Sequence, residues 1–404
     1  MKPSSWQQYN NLYKLRLKQL EGAAREEASR RWSEVPKSSF LTDLTGVVRA
    51  GHGGHGSDVV VVGVLFKDLK GRQNVIEEYK GSKGLLNQWK DEATCLYTEK
   101  DTLWLEDAVM RIEIDVSHEQ RAPLATGFVV ALKGSATQTG TFTMKDFCFP
   151  RMPLPAPLPT PSGQGPFLAL MSGLNFGDAS DASSSKALRA KAFEFLKRSK
   201  VEGKAEIQRL LICGGLLPAH GDGERIKAAL REINEELPVV CESVSVEVMP
   251  GVGEPSNASL PQLQFHSSLF QFDSNFHTVG NPCGFKLGPM DILGHSGQPI
   301  QDLLRCARLE ALEALEMCLK ARHLAPTAPD TLSTQPFEEK DPFVMDAVPH
   351  ILFSGGHAKA AMKWCDAGEQ RGTQCICVPA FYQHPAMILV NLQDPRDVRV
   401  EEFS

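Results

Sequence analysis

Six prolines between Phe149 and Pro161 divide this 404-residue chain more firmly than any other feature. A proline fixes its own φ and offers no amide to a strand ladder. The run Phe149-Pro-Arg-Met-Pro-Leu-Pro-Ala-Pro-Leu-Pro-Thr-Pro161 is therefore held to extended, polyproline-like backbone, a semi-rigid spacer. Its length gives the chain room for two or three domains. The segments that follow are an N-terminal helical stretch at 1–35, a barrel at 36–150, the proline-rich linker at 151–163 and a larger mixed domain at 164–404.

Before the linker the pattern is mostly that of strands. Tyr9, Leu12, Tyr13, Leu15, Leu17 and Leu20, set among Lys14, Arg16 and Lys18, predict an amphipathic helix up to Arg31 that docks on its own protein. From Asp58 the runs 58–66, 101–107, 108–115, 126–132 and 140–149 read as at least five short strands with Gly and Asp turns and no long helix among them. That is the pattern of a small closed barrel of the OB type. Such a barrel can hold single-stranded nucleic acid if aromatics alternate with cations on its open face. Lys67, Lys70, Arg72, Lys80, Lys83 and Lys90 accompany Phe66, Tyr79 and Trp89, but Glu77, Glu78, Asp91 and Glu92 dilute the patch. Packing and protein binding are the expected use. His52 and His55 in the Gly/His insert 51–56 are only two donors on a loop, too few for a metal.

After the linker the pattern changes to strand, turn and helix. Strands at 166–171, 207–213, 244–249 and 291–293 each run into a Gly-rich turn, and helices are expected at 186–200, at 225–237 and, as one long helix, at 300–322. Strands at 374–378, 387–392 and 398–403 close the chain. The stretch 323–357 ends in Ile351-Leu-Phe353 followed by Ser354-Gly-Gly-His357, where a layered-sheet enzyme would carry its chemistry. The fold class is thus mixed α+β, a barrel joined to a layered sheet with flanking helices.

Charge and composition narrow the function. A formal charge of −6 gives no overall basic field for nucleic acid. The ten cysteines have no framework spacing and the N-terminus lacks the pattern of a signal peptide, so reduced thiols in the nucleus or cytosol are expected. Asn257-Ala-Ser259 matches a glycosylation acceptor that such a compartment would leave unused. Ser296 lacks the frame of a nucleophile elbow, and no phosphate-binding loop is present, so no nucleotide cofactor is implied.

The order of strand-to-Gly turns resembles the calcineurin-like metallophosphoesterase sheet. The wording of the turns narrows this further: Val248-Met-Pro-Gly251, Leu260-Pro-Gln262, Ile292-Leu-Gly-His-Ser-Gly-Gln298, 323–332, Asp341-Pro-Phe343 and Pro349-His350. With Trp32-Ser-Glu-Val-Pro36, Gly63-Val-Leu-Phe-Lys67 and Asp146-Phe-Cys-Phe149, they resemble the second, B-type subunits of eukaryotic DNA polymerase delta over essentially the whole chain.

That resemblance implies an OB domain joined to a phosphoesterase-like domain without catalysis, and the residues can be read against it. A two-metal site needs carboxylate, His and Asn donors around ions about 3.5–4 Å apart. Where active enzymes have Asp-x-His the chain has Ser172-Gly173-Leu174, and where a bridging Asp would follow a glycine it has Gly214-Gly215. The Asn-His turn is replaced by Gly251-Val252-Gly253-Glu254, and the closing Gly-His-x-His by Gly355-Gly356-His357. His295, His357 and Glu254 are the only donors remaining for a three-ligand site, with too little negative charge for two cations.

No catalytic residue, metal or cofactor is therefore expected. The resemblance implies a nuclear scaffold that docks the C-terminal domain of the catalytic subunit and a further accessory subunit, and works indirectly with the sliding clamp and DNA. A translesion polymerase is a further possible partner, and no membrane is expected. Candidate interface residues are the exposed members of Leu12, Leu15, Trp89 and Trp104. An active phosphoesterase and a single-stranded DNA binder are the alternative readings.

Overall fold

The computed structural model describes residues 10–52, 58–72, 95–137, 140–158, 165–177, 182–202, 206–218, 223–271, 275–368 and 370–404. They form two compact units, 1–153 with 299–346, and 154–298 with 347–404. The segment 299–346, which the sequence reading includes in the domain 164–404, packs with the barrel.

In the first unit the strands β1 (Val59–Asp68), β2 (Thr102–Glu106), β3 (Arg111–Asp115), β4 (Val129–Ala136) and β5 (Thr141–Cys148) close into a barrel of order β1-β2-β3-β5-β4. The apolar run of β1 is buried on both sides. Val60, Val62 and Val64 pack with Leu20, Ala24 and Ala28 of the helix Asn10–Arg31 and with Trp32 just after it, so the strand's outer face is also covered. Gly63 is required between them, because a Cβ there would lie 2.7 Å from the carbonyl oxygen of Glu106.

The N-terminal helix follows a stricter rule than a general apolar surface. Leu12, Arg16, Leu20, Ala24, Ala28 and Trp32 recur every fourth residue and all are buried. Arg16, which by sequence belongs to the charged surface, lies in the middle of that stripe and is fully buried. Its guanidinium donates from Nε to Asp341 Oδ2 at 2.8 Å, and from Nη1 and Nη2 to the carbonyls of Gly127, Pro326 and Ala328 at 2.7–2.9 Å.

The long helix expected at 300–322 is two helices, Gln298–Cys306 and Ala311–Lys320. Glu310 and Glu313 form a reciprocal capping box that starts the second one. The leucine periodicity continues through the break and conceals it.

The second unit holds two sheets. One has the order β16-β15-β6-β7-β8-β9, with β6 (Phe167–Met171), β7 (Ile207–Cys213), β8 (Ser245–Met249) and β9 (Phe276–Thr278) parallel, flanked by β15 (Ala386–Asn391) and β16 (Val398–Glu402). The other has the order β10-β11-β12-β14-β13, built from β10 (Cys283–Leu287), β11 (Met290–His295), β12 (Ile351–His357), β13 (Ala361–Gly368) and β14 (Arg371–Pro379). Strands β9, β10 and β13 are not expected from sequence: β9 is three residues long and β10 alternates between partly buried and exposed positions.

Period-two alternation assigns each face. Leu168, Leu170, Leu211, Cys213, Ile388 and Val390 join Ile292, Ile351, Phe353 and Ile376 of the other sheet. The alternate residues Phe167, Ala169, Met171, Leu210, Ile212 and Leu389 join Phe193, Leu196, Ala229, Ile233 and Leu237 of the helices Ala182–Glu202 and Gly223–Cys241. No helix among the described residues is long and apolar enough to cross a membrane.

Candidate functional site

The carboxyl ends of the parallel strands, where open α/β sheets bind ligands, carry every degenerate site position read from the sequence. Backbone occupies the place where donors would stand. Ser172, just after β6, donates its hydroxyl to the carbonyl of Cys213 at 2.9 Å. The Gly173 amide bonds to the carbonyl of Gly214 at 2.9 Å, and Leu174 is buried in the core.

Glycine makes these approaches possible. A Cβ on Gly215 would stand 2.7 Å from Gly173 Cα, and one on Gly355 would stand 2.2 Å from the carbonyl oxygen of Cys213. Gly173, Gly214, Gly215, Gly253 and Gly356 have positive φ, which side chains adopt at a cost. Val252 lies in the turn before Glu254 and brings only an aliphatic side chain.

Glu254 is 4% exposed, and amides already take up its carboxylate. Oε2 accepts from Gly215 and Gly251 at 3.0 and 2.5 Å, and Oε1 accepts from Leu217 at 2.6 Å. One carboxylate thus ties the turn after β7 to the turn after β8. Burial pushes its pKa up to about 7, against the lowering effect of the amide bonds.

His295 and His357 do not complete a donor set. His295 Nδ1 accepts from the Gly297 amide at 3.1 Å, which puts its proton on Nε2, and Nε2 is buried with no hydrogen-bond partner among the described residues. His357 Nε2 bonds Ser354 Oγ at 2.7 Å. Burial lowers the two imidazoles to about 3 and about 4. Among the described residues no three His, Cys, Asp or Glu side chains converge in a way that could hold a metal ion. The residues do not fit the two-metal centre of the phosphoesterase fold.

Sequence reasoning misses an amide network behind these turns. Asn281 Nδ2 lies 2.7–2.8 Å from Gln262 Oε1, Ser296 Oγ and Gln298 Oε1, three acceptors for its two N–H groups, and Gln262 Nε2 donates to the carbonyl of Gly251 at 3.1 Å. All four residues are buried. Their one signal in the sequence is the density of polar side chains in segments otherwise written as tight apolar turns.

Residues 8–147 match the model of the DNA polymerase delta subunit OB-fold domain, and residues 168–362 match that of the B subunits of DNA polymerases alpha and epsilon. The chain is 30% identical to the DNA polymerase delta small subunit of Arabidopsis thaliana over 364 residues, covering 84% of this chain and 80% of that relative. It belongs to the DNA polymerase delta small subunit family. It is 29% identical to the DNA polymerase delta small subunit of Saccharomyces cerevisiae over 443 residues, covering 96% of this chain and 87% of that relative. Drosophila melanogaster DNA polymerase delta subunit 2 is 28% identical, covering 98% of this chain and 93% of that relative. Among solved structures, an archaeal phosphodiesterase aligns with 59% of this chain and 99% of its own at 10% identity and a TM-score of 0.30.

Family membership directs attention to the barrel candidates as well. Leu12 is 2% exposed and lies inside the helix stripe, so it offers no free surface. Leu15 and Trp104 are half-buried, and Trp104 Nε1 donates to Thr102 Oγ1 at 3.1 Å. Trp89, Tyr79, Lys80, Lys83, Lys90 and His55 lie outside the described residues, and His52 is the last residue of the helix Leu44–His52.

Lys67, a candidate nucleic-acid contact, is 1% exposed. Its Nζ donates to the carbonyls of Leu124, Cys306 and Ala122 at 2.8, 3.0 and 3.3 Å and sits 4.5 Å from the Tyr97 ring centroid. Lys70 is paired with Asp68, and Arg72 with Asp330 at 2.8 Å. These three cations are engaged within their own unit.

Proposed function

We propose that this chain is a non-catalytic scaffold subunit of a nuclear DNA polymerase delta complex, one that docks the C-terminal domain of the catalytic subunit and bridges it to a further accessory subunit. The accessory role rests on the family; the absence of catalysis rests on Glu254. A metal-holding phosphoesterase needs open carboxylates at these strand ends, whereas here both oxygens of the buried carboxylate accept backbone amides. Glycine backbones fill the surrounding space. What supports the reading is that, among the described residues, the Glu254 carboxylate and the glycine turns of this edge are bonded to one another.

The test is reconstitution of the full chain with the catalytic subunit's C-terminal domain, with the mass of the complex read by light scattering. A stable 1:1 complex is expected, and failure to form one overturns the docking reading. Phosphodiester hydrolysis with added Mn²⁺ is assayed in parallel, with none expected. Stoichiometric metal and turnover that His295→Ala abolishes would overturn the non-catalytic reading while leaving docking untouched.

A further inference from the structure

All ten cysteines are in the thiol form, and two of them meet across a pair of strands that none of the roles above uses. The Sγ atoms of Cys365 on β13 and Cys375 on β14 are 3.8 Å apart, a thiol contact in which either sulfur can donate. The antiparallel register sets Cys365 opposite Thr373 and Lys363 opposite Cys375. Period-two alternation therefore puts both thiols on one face of the sheet, as diagonal neighbours. Trp364 belongs to the other face, where a Cβ on Gly372 would stand 2.4 Å from its ring. Cys377 shares the thiol face but stands opposite Ala361, on the side of Cys375 away from Cys365.

The two thiols differ in access and in freedom. Cys375 is buried, on a strand held between β12 and β13, whereas Cys365 is half-buried, on the last strand of the sheet. The register of β13 shifts between Asp366 and Gly368, just past Cys365. A disulfide brings its sulfurs to about 2.05 Å, so the present contact must close by about 1.8 Å. An edge strand beside a register shift is the element best able to supply that movement. A diagonal pair is wider than a directly opposed one, so the closed bond is strained and easily reduced. That suits a bond that is made and broken.

We propose that Cys365 and Cys375 form a redox modification site, at which hydrogen peroxide converts the two thiols to a reversible cross-strand disulfide that ties the edge strand β13 to β14. The accessible Cys365 reacts first: its sulfur attacks a peroxide oxygen, the O–O bond breaks, and a sulfenic acid and one water result. Cys375 Sγ then attacks the Cys365 sulfur. The S–S bond forms, the S–O bond breaks, and the departing oxygen leaves as a second water with the Cys375 thiol proton. Each sulfur gives up one electron and the peroxide takes up two. Because the partners are already in contact, the second step is intramolecular and outruns further oxidation of Cys365. The inference is independent of the scaffold reading.

The full chain is treated with peroxide at the dose that halves iodoacetamide labelling of the exposed Cys95, then alkylated and digested with trypsin. Monomeric chain is expected to yield the peptides 364–371 and 372–396 joined, two hydrogens lighter than their sum, with fragmentation placing the link at Cys375 rather than Cys377. Labelling of Cys365 should fall about fivefold and return with dithiothreitol. In Cys375→Ala the joined peptide disappears and dimedone traps a sulfenic acid at Cys365; in Cys377→Ala the link persists. Failure to find the joined peptide at that dose, its presence only in cross-linked dimers, or a link that fragmentation assigns to Cys377 would each overturn the proposal.

Discussion

Two buried carboxylates, one in each unit, meet opposite fates. Asp341 in the barrel unit accepts from Arg16 Nε at 2.8 Å and His323 Nε2 at 2.9 Å, and its second oxygen accepts the Phe343 amide at 2.9 Å. Glu254 in the layered-sheet unit accepts the amides of Gly215, Gly251 and Leu217, with no cation bonded to it among the described residues. Burial raises both pKa values. At Asp341 the Arg16 charge and the His323 contact outweigh that effect and hold the carboxyl well below the usual range, whereas at Glu254 the amides do not, and it rests at about 7. A hydrogen-bonded carboxylate is therefore not equivalent to an ion-paired one. The first unit uses a fixed charge as a clamp; the second leaves a group that titrates near neutrality.

Removing the clamp is the largest perturbation available. Asp341→Ala strands the Arg16 guanidinium, which has no exposure to water, and should destabilise the barrel unit by about 3–5 kcal/mol. Because the chain has two units, urea titrations read by pulsed hydrogen exchange on peptides of each unit are the suitable measurement. The double change Arg16→Met with Asp341→Leu should cost far less. Equal losses in the single and double variants would show that packing, not the charge, holds the helix.

The uncompensated group gives the next largest effect, through pH. The folded pKa of Glu254 is raised from 4.5 to about 7, so the folded state holds a proton that the unfolded chain has released. Its contribution is complete below pH 4.5 and declines as pH rises through 7, by at most roughly 3 kcal/mol. His323 acts in the opposite sense. Its pKa is lowered from 6.5 to about 4, so its contribution is full above 6.5 and is lost as pH falls toward 4. As pH rises from 5 to 6.5 Glu254 therefore takes stability from the sheet unit, against gains there from the lowered imidazoles of His295 and His357, while His323 adds stability to the barrel unit. Glu254→Gln should remove the opposing loss, so that the sheet unit's stability rises more steeply with pH, and leave the barrel unit's profile as it was. A sheet-unit pH profile unchanged in that variant would refute the assignment.

Much of this architecture is legible from residue order, and its failures have physical causes. The unbroken apolar runs Phe167–Met171 and Leu210–Cys213 report two buried sheet faces directly. That Ser172, Gly173 and Gly215 bring no carboxylate or imidazole is visible from residue type alone. Arg16 reads as surface because a periodicity scale scores arginine as polar wherever it stands, and its partners lie more than 100 residues away. Lys67 is misplaced in the same way. Glu254 is legible as a leftover donor, but its three amide partners arise from turns that only the fold brings together.

Placing a carboxylate at this edge tests whether it is closed by chemistry or by shape. Gly215 has a φ of +68°, and its Cβ would stand 2.7 Å from Gly173 Cα. Gly215→Asp should cost about 1–2 kcal/mol from the left-handed backbone alone, with further loss from the contact. It should bring no Mn²⁺ binding by calorimetry. Metal uptake by this single variant would mean that the glycine backbones yield more readily than their spacing implies.

The smallest effect is expected at Lys67, which resembles Glu254 in having no ion-pair partner bonded to it, only carbonyls and an aromatic face. Its pKa is lowered to about 8, mainly by burial, against the attraction of Asp101. Lys67→Met keeps the aliphatic stem and removes a poorly compensated charge, but it deprives three carbonyls of a donor. Removing the charge also removes its desolvation cost, which offsets the lost carbonyl bonds, so the net change should stay within about 1 kcal/mol. The same variant should leave any single-stranded DNA affinity of the chain unchanged, because Nζ bonds inward. A loss as large as that of Asp341→Ala would place Lys67 with the clamps and narrow the contrast between paired and unpaired buried charge.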